Sequence, residues 1–243
     1  LAFQAGENVS FVMHYQWGAL NTDVGSATVT LDSLTLNGKK AFLCKVYGRT
    51  AKFYDIFFRV REDFRSWFTR DGLVPLKFTR DTQEGKYEAR NTYRFDWSEP
   101  DPHIDADIYT TRGGQRSMVI PLTRCTFDLP SLFFYARNMD FDNIEPGVKY
   151  PMTFDDDVCN VYFVLHGRET IKVKGLGEVR TIKFAAKLLE GEVFKGEEDM
   201  MIWVSDDENR IPVYFEAPLL VGVASGRVSG YSGLKHPFSS LVK

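Results

Sequence analysis

From Val9 to Gln16 the chain sets Val9, Phe11, Met13 and Tyr15 against Ser10, Val12, His14 and Gln16. That two-residue period belongs to a strand with one buried face. Ala27, Val29 and Leu31 alternate with Thr28, Thr30 and Asp32 in the same way. Asn37-Gly38, a pair that tolerates positive φ, then marks a hairpin turn before a strand from Ala41 to Tyr47. Further strands are expected at Phe53–Val60, Arg65–Thr69, Leu73–Arg80, Tyr87–Asp96, Ile104–Thr110 and Gln115–Ile120. Asp71-Gly72, Glu84-Gly85 and Gly113-Gly114 punctuate them.

The period changes once. In Asp128-Leu-Pro-Ser-Leu-Phe-Phe-Tyr-Ala-Arg137 the acid suits an N-cap and Pro130 a first turn, while Leu129, Leu132, Phe133 and Ala136 share one face at helical spacing. The β pattern resumes at Val148–Phe154, Asn160–Leu165, Glu169–Lys174, Glu178–Leu188, Met200–Val204, Val213–Phe215 and Leu219–Arg227. Short strands joined by small turns favour neighbours pairing antiparallel. The expected fold is mostly β: an antiparallel meander forming a curled sheet or barrel-like domain with one short central helix. No linker rich in Gly, Ser or Pro divides the chain, so residues 1–243 are expected to form a single domain, with Ser98–Pro102 as its flexible insertion.

Composition narrows the possible partners. Thirty Lys and Arg against 33 Asp and Glu give a net charge of -3, which lacks the basic excess that a nucleic-acid backbone selects. No apolar run approaches the roughly 18 to 20 residues of a membrane-spanning helix, so no transmembrane segment is expected. Cys44, Cys125 and Cys159 show no C-x-x-C pairing, and Cys44 falls in phase with Phe42 and Val46, which predicts a buried, unreactive thiol.

Candidate chemistry is sparse. Asp155-Asp156-Asp157 and Asp206-Asp207-Glu208 lack calcium-loop spacing, and His14, His103, His166 and His236 stand alone, so neither a metal nor a cofactor is expected. No G-x-S-x-G elbow occurs, and Gly175-Leu176-Gly177 is a hairpin rather than a phosphate loop. The 20 Phe, 11 Tyr and 4 Trp are the most suggestive feature. Among them Tyr15, Trp17, Trp67, Tyr135 and Trp203 are the candidates to line a groove for an apolar or sugar ligand. Asp63, Arg137, Asp206, Asp207 and Arg210 sit beside apolar segments and are expected to form a structural charge cluster that fixes how the helix meets the sheet.

Several segments together resemble a family of exported bacterial proteins known as domain of unknown function 3108. They are Gly6-Glu7 with Tyr15-x-Trp17-Gly18, Val24-Gly25, Arg61-Glu62-Asp63, Pro75, Asp128-x-x-Ser131-x-x-x-Tyr135-x-Arg137, and Ile202-Trp-Val-Ser-Asp-Asp207 through Arg210-Ile-Pro-Val213. Glu62 departs from the Asp-Arg type of turn more usual there. The resemblance implies an export signal removed upstream of Leu1, a Gram-negative periplasm or envelope, and a β-rich domain. It carries over no activity and no catalytic residues.

Three functions follow as expectations. The first is a non-catalytic binding or carrier module whose partner is a lipid, a glycan or an envelope protein. The second is a glycan or cell-wall hydrolase drawing on Asp63, Asp128, Asp155, Asp206 or Asp207, two of which must lie within about 5 to 10 Å in a cleft. The third is a scaffold of an envelope assembly, marked by an exposed apolar patch or sheet edge.

Overall fold

Among the described residues the alternating segments become fourteen strands of a single antiparallel sheet, each between two neighbours except the two at its edges. The structure is a computed structural model, and residues 1–122, 125–189, 199–219 and 221–242 are described. Among these the strands are β1 (Glu7–Trp17), β2 (Leu20–Leu36), β3 (Lys39–Thr50), β4 (Val60–Thr69), β5 (Pro75–Glu84), β6 (Tyr87–Asp96), β7 (His103–Thr110) and β8 (Gly114–Pro121). After the connection come β9 (Tyr150–Phe154), β10 (Asp157–Val173), β11 (Gly177–Leu189), β12 (Met200–Ser205), β13 (Pro212–Pro218) and β14 (Val223–Ser232). Helix α1 (Lys52–Asp55) is a single turn between β3 and β4, and α2 (Leu129–Ala136) lies between β8 and β9.

The sheet order is β8-β7-β6-β5-β4-β3-β2-β1-β14-β13-β12-β11-β10-β9. Two meanders are thus joined where the first strand pairs with the last, and the sheet stays open, with β8 and β9 as its edges. It curls around α2, which packs against β3 and β4 from one meander and β9 from the other. The β9–β10 turn crosses to the opposite meander, where Asp155 meets Arg80 of β5 and Asp156 meets Arg116 of β8, each at 2.7 Å.

Helix α2 forms for the reasons its sequence gives. The Asp128 carboxylate accepts the Ser131 N–H at 2.8 Å, and the Ser131 hydroxyl accepts the Asp128 N–H at 3.0 Å, a reciprocal cap with Pro130 in the first turn. Its buried face differs in detail from the expected one. Leu129 is exposed and Phe134 is fully buried, 4.7 Å from Phe3 and 5.7 Å from Phe68 between ring centroids. Leu31, Phe42, Cys44 and Phe68 pack there from β2, β3 and β4, while Leu132 and Ala136 face Val161, Phe163, Ile182 and Phe184 of the other meander. Cys44 is fully buried, and all three cysteines are free thiols.

Several strand boundaries depart from the periodicity, and three segments differ most. Phe53–Val60 is not a strand; it turns back as α1, with the Tyr54 N–H on the Ala51 carbonyl at 2.9 Å and the Phe58 N–H on the Tyr54 carbonyl at 2.9 Å. Asn160–Leu165 and Glu169–Lys174 are one strand, β10, whose register shifts at Gly167 with φ +119°. Leu219 and Val221 fall in the β13–β14 turn, the strand starting only at Val223, and Leu220 lies outside the described residues.

Candidate functional site

Arg137, at the C-terminal end of α2, is almost fully buried together with Glu7 of β1. Its guanidinium forks onto the Glu7 carboxylate at 2.5 and 3.0 Å and donates twice to the Asn209 carbonyl, at 2.8 and 3.2 Å. Phe3, Phe133 and Phe134 enclose it, with ring centroids 5.3, 5.9 and 5.3 Å away. Arg210 donates to the Met139 carbonyl and lies over the Phe141 ring. Asp207 accepts from Ser205, Asn209, Ser239 and Ser240, so it ties the β12–β13 turn to the C-terminal tail. Asp206 pairs with Arg168 at 3.3 Å. These hydrogen bonds clamp helix, sheet and tail together.

Asp63 stands apart from that clamp, forked onto Arg65 at 2.8 and 2.9 Å. It lines a polar hollow of the sheet with Tyr47, Arg61, Asp81 and Arg90. Asp128 is buried beneath α2 and accepts from Ser66 at 2.9 Å; burial pushes its carboxyl up to about 7. A second chain of buried polar groups runs across β4, β5 and β6. Thr82 donates to Glu62 at 2.6 Å, Arg80 donates to Thr82 at 2.9 Å, and the Tyr93 hydroxyl donates to the Asp155 carbonyl at 2.7 Å. Burial, with Glu84 nearby, raises the Glu62 carboxyl to about 7 despite the Thr82 hydroxyl. Among the described residues no three His, Cys, Asp or Glu side chains gather closely enough to hold a metal ion.

The aromatic candidates do not share a groove. The Trp203 indole N–H donates to Glu169 at 2.7 Å, and the ring is buried on β12. Trp67 lies on the face of β4 opposite Phe68, under the Lys77 ammonium at 5.0 Å. Tyr135 packs inside, 4.9 Å from Phe127 and 5.7 Å from Tyr150. Other aromatic side chains fill the packed clusters on the sheet, among them Phe3, Phe42 and Phe68 against α2 and Phe78, Tyr93 and Phe95 away from it.

Tyr15 and Trp17 lie elsewhere, at the end of the sheet where the β1–β2, β3–β4 and β13–β14 turns meet. The Tyr15 hydroxyl donates to the Val221 carbonyl at 2.8 Å. Gly222, at φ +76°, has no room for a side chain, since a Cβ there would come within 2.4 Å of the Gln16 carbonyl. On the other flank the Tyr54 hydroxyl meets Thr22 at 2.8 Å, and the Ala51 N–H reaches the Val24 carbonyl at 2.8 Å. Arg61 forks onto Asp55 at 2.6 and 2.9 Å and, with the Thr50 hydroxyl, holds that carboxyl down to about 2.

These polar ties pin the β3–β4 turn from behind and leave its hydrocarbon outside. Phe53, Ile56, Phe57 and Phe58 are 66, 80, 74 and 56% exposed, and Trp17 is 59% exposed. Leu20, Leu219 and Val221 extend the patch across the adjoining turns. Lys52 and Arg59, both exposed, bracket the four apolar residues in sequence. Large apolar side chains held in water on a turn reverse the usual burial of such residues. The sequence carried a sign of it in Ile56-Phe57-Phe58, a run of three large apolar residues that breaks the two-residue alternation.

Fold and surface together define a class: an open, curled antiparallel sheet wound on a buried helix, with one end dressed in exposed apolar turns. The chain belongs to the family described as protein of unknown function (DUF3108), whose model matches residues 10–228. Among solved structures it is similar to a β-barrel-like protein of domain of unknown function DUF1849 from Brucella abortus. The match has a TM-score of 0.59 and 9% identity and covers 94% of this chain and 98% of that one. At that identity the likeness is one of fold. No curated protein matches the chain.

Proposed function

We propose that the protein is a non-catalytic binding module of the Gram-negative envelope, exported across the inner membrane, that engages an apolar partner through the turns at one end of its sheet. The observation that carries this reading is the outward display of Phe53, Ile56, Phe57 and Phe58 on a turn locked by Tyr54, Asp55 and Arg61. Burying large apolar side chains is the main driving force of association, and a rigid turn loses little entropy on docking. The same patch suits a scaffold within an envelope assembly, and the nature of the partner separates the two.

A photoreactive phenylalanine analogue at position 57 of the full chain, irradiated in cells, tests the proposal. The expected result is an adduct at 57 that is absent for the same analogue at Asp105 on β7, in protein recovered from the periplasmic fraction. Protein confined to the cytoplasm, or equal labelling at both positions, overturns it.

Carboxylate hydrolysis has one specific foothold. Asp63 and Asp81 are register partners across β4 and β5 in the polar hollow, and facing side chains on neighbouring strands sit about 5 Å apart, near the spacing of a retaining glycosidase. Both Asp63 oxygens are engaged by the Arg65 guanidinium, an arrangement that a catalytic role for Asp63 would have to break. Turnover of a glycan substrate that disappears in the Asp63→Asn, Asp81→Asn variant would reinstate the hydrolase.

A further inference from the structure

We infer that the partner of the apolar end is an anionic lipid leaflet, against which the β1–β2, β3–β4 and β13–β14 turns insert their exposed side chains; this rests on the binding role proposed above for that end. Three features of the surface point to a leaflet.

The first is shape. The apolar side chains stand exposed on three turns, on adjoining strands of the order β4-β3-β2-β1-β14-β13. A protein partner must supply a pocket for each protruding ring, whereas the interfacial zone of a bilayer accepts protruding apolar groups without a matching shape. The second is residue type. One Trp and three Phe share the patch with Ile56 and Leu20, and Trp above all prefers the headgroup boundary, with the aliphatic residues reaching the acyl chains.

The third is charge. Lys52 and Arg59 flank the patch as exposed cations, and Lys86 lies on the adjoining β5–β6 turn, where Gly85 contacts the Phe58 ring. Two carboxylates of the same region are paired with cations: the half-buried Asp55 is held by Arg61, and the exposed Asp23 by Arg227 at 2.6 and 2.8 Å and by His14 at 2.9 Å. Glu84 is the exposed acid of the β5–β6 turn and partly offsets Lys86. A chain whose net charge is -3 therefore turns a locally basic, apolar rim toward this one end.

Co-sedimentation of the purified chain with phosphatidylcholine vesicles, with and without phosphatidylglycerol, tests the inference. The native chain is expected to pellet with the anionic vesicles. Lys52→Gln with Arg59→Gln should weaken that binding roughly thirty-fold, about five-fold for each cation. Phe53→Ser, Ile56→Ser and Phe57→Ser together should return it to background while leaving the thermal midpoint in place. Brominated lipid should quench the native fluorescence and lose that quenching in Trp17→Phe.

A native chain that stays in the supernatant while the analogue at position 57 captures a protein overturns the lipid assignment and leaves the apolar end standing as a binding surface. Self-association that the triple substitution disperses, without vesicle binding, makes a second copy the occupant instead. Vesicle binding that survives the triple substitution places the contact on another surface and overturns the inference.

Discussion

Around Arg137 the chain encloses a complete ion pair beneath three phenylalanine rings, and at the β3–β4 turn it holds four large apolar side chains in water. Each arrangement reverses the usual partition of charge and hydrocarbon. The buried pair is answered on every side, by Glu7, by the Asn209 carbonyl and by aromatic faces, so its cost appears only when one member is removed. The exposed turn is answered only from behind, with its outward face in water. Integrity of the fold therefore depends on the first region, and the proposed association on the second.

The sharpest way to break this comparison is Arg137→Met, which strands the Glu7 carboxylate in the core. It is expected to cost about 3 to 5 kcal/mol in urea unfolding, most of it recovered when Glu7→Gln is added. A loss below about 1 kcal/mol would mean that the pair is not what holds helix and sheet together.

Acidity gives the next largest effect. Glu62 and Asp128 both titrate near 7 in the folded chain, above their ordinary values of 4.5 and 3.8. The folded state thus holds these protons more tightly than the unfolded chain does. Their contribution is complete in acid below the ordinary carboxyl range and is lost as the pH rises through about 7. Tm should fall between pH 5 and 8 by the equivalent of about 1 to 3 kcal/mol, and Glu62→Gln should flatten that slope. Asp55, held near 2 by Arg61, acts in the opposite sense and only at lower pH, where stability is lost as the carboxyl protonates. An unchanged slope in Glu62→Gln would assign the dependence to Asp128.

Removing the α2 cap comes third. Asp128→Ala is expected to cost about 1 to 2 kcal/mol, read as a lower midpoint in thermal unfolding monitored by near-UV circular dichroism. Phe57→Ser should have the smallest effect, within about 0.5 kcal/mol of the parent, because the ring is largely outside. A larger change in Phe57→Ser would show that the turn supports the fold and would blur the contrast.

Much of the sheet was legible because one-sided burial writes a two-residue period into the chain. Tyr87–Asp96 is read to the residue, and Asn37-Gly38 forms the β2–β3 turn. The α2 cap was equally plain, since Asp128, Pro130 and Ser131 act within one turn of backbone. The misread segment, Phe53–Val60, is rich in β-forming aromatics, yet it turns back because Thr50, Asp55 and Arg61 bind one another across it. Local propensity cannot register such a chelate. Arg137, Asp207 and Arg210 do converge, but Glu7, which completes the clamp, is distant from all three in sequence, and Asn209 enters through its backbone carbonyl, which no residue type announces. Glu7 left one trace, an acid in phase with the buried Val9 and Phe11. The rings of Trp67, Tyr135 and Trp203 do not share a groove for another reason: aromatic content reports neither face nor depth, and the three lie on different faces and elements, β4, α2 and β12.

The joining of β1 to β14 has a consequence for the order of events in folding. Within each meander every strand pairs with its neighbour in sequence, so the hairpins can zip as soon as their two strands exist. The pairing of Asn8 with Ser232 joins the two meanders across nearly the whole chain, and loop closure of that span sets a slow final step. The open edges of the finished sheet come from the middle of the sequence, and its centre comes from the two ends. A chain delivered gradually, N-terminus first, therefore holds β1 as an unpaired edge until β14 arrives, and during that interval it is most exposed to pairing with another molecule.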